Sequence, residues 1–124
     1  MSTQHSILFV EDEQALAAVH VEAFEAQGFE CEVAHDGLQA LKLLKRRTFS
    51  VIVMDIIMPK MDGFGLLQRI KKDKEWSKIP VIVLSNLGQD ADKQICMNTG
   101  ACRYFIKTQT SQAELLQEIK RVIE

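Results

Sequence analysis

Short apolar runs recur along the chain: Ile7 to Val10, Cys31 to Ala34, Val51 to Met54, Val81 to Leu84 and Tyr104 to Ile106. Runs of this length, bounded by polar or turn-forming residues and rich in β-branched and aromatic side chains, predict five strands. The segments between them carry helical periodicity. The first places Leu16, Val19, Ala23 and the neighbouring Phe24 on one face, and Gly28 follows as a stop signal. Asp36, with Gln39 three residues on, predicts an N-terminal cap before Leu41 and Leu44. Ser111 and Glu114 form a capping-box pattern that opens a last helix carrying Leu115, Ile119, Val122 and Ile123. Pro80 marks where the fourth strand begins and Gly100 where the fourth helix ends. That fourth helical segment, Gly88 to Thr99, has sparse apolar residues (Ala91, Ile95 and Met97), so it is expected to be weakly anchored and mobile.

Five strands alternating with five helices predict an α/β domain built on a parallel sheet. Near-continuous apolar runs in strands one, three and four predict burial on both faces, at the centre of the sheet. The second strand is more polar and is expected at an edge. Open sheets of this kind bind ligands beyond the carboxyl ends of their strands. Glu11 and Asp12, Asp55, Ser85 and Lys107 all fall at that end.

A carboxylate at the end of a buried strand is costly unless a cation, a donor or a chemical task accounts for it. If Glu11, Asp12 and Asp55 converge, each like-charged pair about 5 Å apart costs about 3 kcal/mol. A hard cation removes that penalty, and an all-oxygen, partly open ligand set favours Mg²⁺. Taken singly, Glu11 and Asp12 could cap the first helix, Ser85 the fourth, and Lys107 could extend into solvent. Together at one sheet edge, the five groups suit a metal ion and a phosphoryl group.

Composition narrows the setting. The 124 residues are expected to form one domain, 1–124, large enough for a hydrophobic core. A formal net charge of -2 gives no whole-chain reason to expect nucleic acid or an anionic membrane as partner. No apolar stretch approaches the roughly 20 residues that span a bilayer. Residues 1–6 contain no Lys or Arg and do not read as a signal peptide. Cys31, Cys96 and Cys102 are odd in number and lack metal-site spacing, which argues against disulfides or zinc and for a cytoplasmic location. His5, His20 and His35 are dispersed and expected at the surface or partly buried. Gly63-Phe64-Gly65 is no dinucleotide loop, since Gln68 stands where a third glycine belongs and no strand directly precedes it.

Glu11-Asp12, Asp55 followed by Met58-Pro59 and Asp62-Gly63, Ser85, and Tyr104 three residues before Lys107 resemble the receiver domain of two-component response regulators. The resemblance runs from about Ser6 to Ile123. It implies a flavodoxin-like (βα)5 doubly wound sheet of strand order 2-1-3-4-5, with Asp55 accepting a phosphoryl group from the phosphohistidine of a sensor histidine kinase or histidine phosphotransfer protein. It also implies Mg²⁺ held by Asp12, Asp55 and the backbone carbonyl of Ile57, with Glu11 acting through a water. Lys107 and Ser85 would contact the phosphoryl group. Ser85 and Tyr104 would switch the face made by helix four, strand five and helix five, to which a downstream protein or a second phosphorylated copy would bind. Such a domain is no enzyme in the ordinary sense, because it turns over only its own phosphoryl group.

Three departures from the family pattern bear on these expectations. The acidic pair is Glu-Asp rather than Asp-Asp, and the switch hydroxyl is Ser85 rather than threonine. Lys107 is followed by Thr108, where the family usually has proline after a cis peptide. A cis bond there costs about 3 kcal/mol against less than about 1 for proline, so a strained cis bond or a rearranged loop is expected. Ile57 and Leu87, two residues beyond Asp55 and Ser85, are apolar and cannot position an attacking water, so a long-lived phosphoryl state is expected. Two rival readings are a receiver-like interaction module that is never phosphorylated and an aspartyl-phosphate phosphohydrolase. The second lacks its general acid, because Ile57 occupies the position of the required aspartate.

Overall fold

The structure, a computed structural model, describes residues 4–58 and 61–123. Five strands, β1 (Ser6–Val10), β2 (Glu30–Ala34), β3 (Val51–Met54), β4 (Val81–Ser85) and β5 (Arg103–Ile106), form one parallel sheet in the order β2-β1-β3-β4-β5. Five helices alternate with them: α1 (Gln14–Glu25), α2 (Gly37–Arg46), α3 (Gly63–Lys72), α4 (Asp90–Thr99) and α5 (Gln112–Ile123). Single 3-10 turns lie at Trp76–Lys78 and Lys107–Gln109. The flavodoxin-like topology expected from the sequence is the one observed. Pro59, part of the turn-forming stretch after Asp55, lies outside the described residues.

The apolar runs explain the layering. Every residue of β3 and β4 is buried, and β1 is buried from Ile7 onward, because helices cover both faces of these central strands. One core holds Leu8, Ile52, Met54, Val81 and Val83 against Leu41 and Leu44 of α2, Leu66, Leu67 and Ile70 of α3, and Cys96 of α4. The other holds Ile7, Phe9, Val53, Ile82 and Leu84 against Phe24 of α1 and Leu115 and Ile119 of α5. β2 is an edge strand, as its polar residues suggested; Arg47 reaches Glu30 at 3.7 Å and Glu32 at 3.3 Å across it.

The helix ends follow their local signals. Asp36 Oδ1 accepts from the Gln39 backbone N–H at 2.8 Å, while Gln39 Oε1 reaches back one residue further, to the N–H of His35. Ser111 and Glu114 cap α5 reciprocally, at 3.1 and 3.0 Å. Gly28 and Gly100 close α1 and α4 with φ of 92° and 124°, a region that glycine enters without steric cost.

Three sequence expectations need correction. The buried face of α1 is Ala17, His20 and Phe24, whereas Val19 is 50% exposed. His20 is therefore neither a surface nor a partly buried residue: it is 3% exposed and stacks on Phe9 with ring centroids 5.1 Å apart. α4 begins at Asp90 rather than Gly88, with Gln89 extended at its N-cap. Cys96 is the only buried residue of α4, so little apolar burial holds this helix to the sheet, in keeping with its sparse apolar pattern. Among the described residues, no helix is long and apolar enough to cross a membrane.

Candidate functional site

The parallel sheet assembles the site by carrying its ladder one residue beyond the central strands. The Glu11 N–H donates to the carbonyl of Ala34 at 2.9 Å, and the Asp55 N–H to that of Val10 at 3.0 Å. Both side chains thus emerge side by side at the carboxyl edge. Both are buried, Glu11 at 3% and Asp55 at 6% exposure, while Asp12 is exposed at the rim. Glu11, Asp12 and Asp55 each offer a carboxylate oxygen, and the three oxygens lie within 4.8 Å of one another. The Glu13 side chain at the N-cap of α1 makes no cap bond, and of the two Glu11 oxygens one turns to the helix start while the other stays at the sheet edge.

Lys107 arrives from the end of β5. Its Nζ lies 2.5 Å from Asp55 Oδ2 and 2.6 Å from Glu11 Oε1, and its side chain is only 11% exposed. It is a largely buried counter-ion and not a solvated lysine. Burial pulls its ammonium pKa down, but the hydrogen bonds and charges of Asp55 and Glu11 together outweigh that and hold it above the ordinary lysine value. Burial likewise pushes the Glu11 carboxyl up, against the opposing effects of Lys107 and the Glu13 N–H, which donates to Glu11 Oε2 at 3.1 Å. The remaining Asp55 oxygen, Oδ1, accepts from the Ile57 N–H at 3.1 Å.

Thr108 is accommodated by a rearranged loop. The described residues contain no cis peptide bond, and the chain after Lys107 makes a 3-10 turn in which Thr110 Oγ1 donates to the Ile106 carbonyl at 2.9 Å. Lys107 reaches both carboxylates from this trans backbone, so the geometry of the triad does not require a cis bond.

Gly63 packs the start of α3 directly against the backbone that follows Asp55. Its N–H donates to the carbonyl of Ile56 at 2.8 Å, and a β-carbon here would lie 2.3 Å from Ile56 Cα. Asp62 caps the helix, Oδ1 accepting from the Gly65 N–H at 2.8 Å. Ile57 itself is 55% exposed.

Ser85 is fully buried at the end of β4, and its Oγ accepts from the Leu87 N–H at 3.3 Å instead of capping α4. Tyr104, half-buried on β5, donates its hydroxyl to the Leu87 carbonyl. Burial raises its phenol above the ordinary value.

Glu11, Asp12, Asp55, Ser85 and Lys107 all lie at the carboxyl edge of the sheet. Sequence reasoning missed His20, which with Phe9, Val53 and Leu84 lines a small space beneath Glu11 and Asp55. Its Nδ1 lies 2.9 Å from the Gln112 amide nitrogen, and its Nε2 is buried without a hydrogen-bond partner among the described residues. Burial lowers its pKa. The three cysteines are free, and burial pushes the thiols of Cys31 and Cys96 up to about 11, which keeps them protonated and unreactive at neutral pH.

Comparison with known proteins agrees with this geometry. The chain is 34% identical over 123 residues to a probable transcriptional regulator, ycf27, of Guillardia theta, covering 99% of this chain and 47% of that protein. It is 34% identical over 116 residues to a gliding motility regulatory protein of Myxococcus xanthus, covering 94% of this chain and 15% of that one. The chain thus spans between 15% and 56% of the length of the curated relatives it matches. Among solved structures, a Francisella response regulator receiver domain superposes with a TM-score of 0.89 at 31% identity, covering 97% of both chains. The receiver domain of a Pseudomonas aeruginosa sensor histidine kinase, with a magnesium ion coordinated in its active-site cleft, superposes with a TM-score of 0.87 at 26% identity over 98% of both chains. The model of the response regulator receiver domain matches residues 7–120, and the chain belongs to that family.

Proposed function

We propose that this receiver domain is a phosphoacceptor switch in which Asp55 takes a phosphoryl group from the phosphohistidine of a sensor kinase or phosphotransfer protein. The observation that carries the reading is the charge balance at the carboxyl edge. Three carboxylates converge and one ammonium lies between two of them, which leaves a formal charge of about -2 in a largely buried site. A divalent cation offsets that charge, and the hard oxygen set suits Mg²⁺. Asp12, Asp55 and the Ile57 carbonyl would hold it, with Glu11 acting through a water. When bound, Mg²⁺ supplies charge neutralisation for incoming phosphoryl oxygens.

A carboxylate is a modest nucleophile, so placement and electrostatics must supply the rate. In the proposed step a carboxylate oxygen of Asp55 bonds to phosphorus as the phosphorus–nitrogen bond of the donor breaks. The imidazole leaves with the bonding pair and takes up a proton. Lys107, already within hydrogen-bond distance of Asp55 Oδ2, would turn from the carboxylate to a phosphoryl oxygen. Ser85 would give up the Leu87 N–H and donate to another. Ile57 and Leu87, two residues beyond Asp55 and Ser85, are apolar and offer no group to orient water, which supports slow hydrolysis of the acyl phosphate.

The domain would then turn over only its own phosphoryl group and act through binding. Movement of Ser85 would disturb Leu87, free Tyr104, and bias the α4-β5-α5 face toward a downstream protein or a second phosphorylated copy. Labelled phosphate carried on a histidine phosphotransfer domain tests the reading: label should pass to the wild type and not to Asp55→Asn. The absence of transfer to the wild type, with Mg²⁺ present, would favour an interaction module that is never phosphorylated.

A further inference from the structure

The opposite end of the sheet carries a second concavity. A cleft of about 700 Å³ opens where β3 and β4 begin, between the C-terminal end of α2 and the 3-10 turn after α3. Ser50 and Pro80, which line it, directly precede these strands, whereas Asp55 and Ser85 lie at their other ends. A strand of four or five residues separates the two places by roughly 15 Å. The volume falls in the range of small-ligand and side-chain pockets.

The walls are apolar and the rim is cationic. Phe49 is buried in the floor, and Trp76, Ile79 and Pro80 are half-buried around it. Lys45, Arg46 and Lys78 are exposed at the rim and make no ion pair among the described residues. The nearby acidic groups do not cancel them. Asp73 and Glu75 are the two carboxylates of the lining, against the four cations Lys45, Arg46, Arg47 and Lys78. Arg47 is the lining cation already engaged, by Glu30 and Glu32 and by the ring of Phe49, over which its guanidinium lies 5.1 Å from the centroid.

The wider charge distribution points the same way. Ten of the fifteen Lys and Arg residues lie between positions 42 and 78, against four of the seventeen acidic residues, so this stretch is net positive in a chain that is net negative. Cations in the last turns of α2 and α3 suit the helix dipoles, which accounts for Lys45 and Arg46. That explanation does not extend to Lys78, nor to an aromatic-lined cleft between the two helix ends.

We propose that this cleft binds an acidic peptide segment of a partner protein, with one bulky aliphatic side chain seated against Trp76 and Ile79 and flanking carboxylates facing Lys45, Arg46 and Lys78. The proposal stands apart from the phosphoacceptor reading, because the two sites occupy opposite ends of the strands.

Trp76 is the only tryptophan of the chain, so its emission reports occupancy of this cleft directly. The probe is a blocked peptide of two leucines flanked on each side by two glutamates, which does not itself emit. A saturable change in Trp76 emission is expected, weakened by added salt and equal in Asp55→Asn. The double variant Arg46→Glu, Lys78→Glu alters only exposed side chains, and its circular dichroism should match the wild type. Its affinity should fall about tenfold, as two attractive rim contacts become repulsive. No emission change, equal binding of the peptide with lysines in place of glutamates, or unaltered affinity in the double variant would overturn the proposal. So would tighter binding of a single-stranded oligonucleotide than of the acidic peptide.

Discussion

The hydroxyl of Tyr104 donates to the backbone carbonyl of Leu87, the residue whose N–H is held by Ser85 Oγ. One peptide segment therefore connects the buried hydroxyl at the end of β4 to the aromatic ring on β5. A displacement of Ser85 toward a new acceptor would break the first contact and loosen the second. Tyr104→Phe removes the hydroxyl that makes the second contact, at a cost of about 1 kcal/mol. Amide exchange across residues 86–99 should speed up about fivefold, while Asp55 still accepts phosphate at the wild-type rate. Unchanged exchange would detach Tyr104 from the α4 region.

Lys107→Met leaves Glu11 and Asp55 buried together without a cation. Breaking such a pair costs about 3 kcal/mol, and the melting temperature in a chelating buffer should drop by about 10 °C. Excess Mg²⁺ should narrow the gap, because the variant's site carries one more uncompensated negative charge, binds the ion more tightly and so gains more stability by mass action. Equal melting temperatures in the chelating buffer would show that the ammonium does not hold the carboxylates together.

Gly63 and Gly65 lie two residues apart at the start of α3 and should respond in opposite ways to alanine. At Gly63 a β-carbon meets Ile56 Cα at 2.3 Å and the Asp55 carbonyl oxygen at 2.6 Å, so backbone must move. A loss of about 2–3 kcal/mol is expected, together with slower phosphorylation, since the loop beside Asp55 shifts. At Gly65 the nearest atom is Asp62 Oδ1 at 3.7 Å, and alanine should be neutral or stabilising by up to about 0.5 kcal/mol. Urea titrations of the two variants make the comparison.

His20 gives the fold a pH dependence of known sign. Burial lowers its folded pKa below the unfolded value of about 6.5. As pH falls below about 6.5 the unfolded chain takes up a proton that the folded chain refuses, so stability declines with acidification, by at most about 1.4 kcal/mol per pH unit, until the folded histidine also titrates. Above that range His20 contributes no slope. His20→Gln should flatten the wild-type decline between pH 7 and 5 in urea unfolding. Parallel curves would place the acid sensitivity elsewhere.

Much of this architecture is legible in the residues themselves, for physical reasons that also mark the limits. β1, β3 and β4 read clearly because strands buried on both faces are continuously apolar, and a parallel sheet must bring their carboxyl ends together. Glu11, Asp55 and Ser85 follow from that alone, and Lys107 from the shorter run of β5 beside them. The facing of α1 does not. Leu16, Ala17, Ala18, Val19 and Val21 make the helix apolar around most of its girth, so periodicity does not fix which side is buried, and tertiary contact with Phe9 selects His20 over Val19. The shared hold of Lys107 on two carboxylates is likewise a property of three strands at once. The path of Thr108 depends on how the loop satisfies its backbone, which Thr110 does from two residues further on.

The central claim rests on one carboxylate. Intact mass should be measured after incubation with phosphoramidate, with Mg²⁺ and with chelator, for the wild type and Asp55→Asn. The account predicts one added phosphoryl group in the wild type with Mg²⁺, little with chelator, and none in the variant. A wild type that gains no mass with Mg²⁺, or an Asp55→Asn variant that gains as much as the wild type, would contradict it.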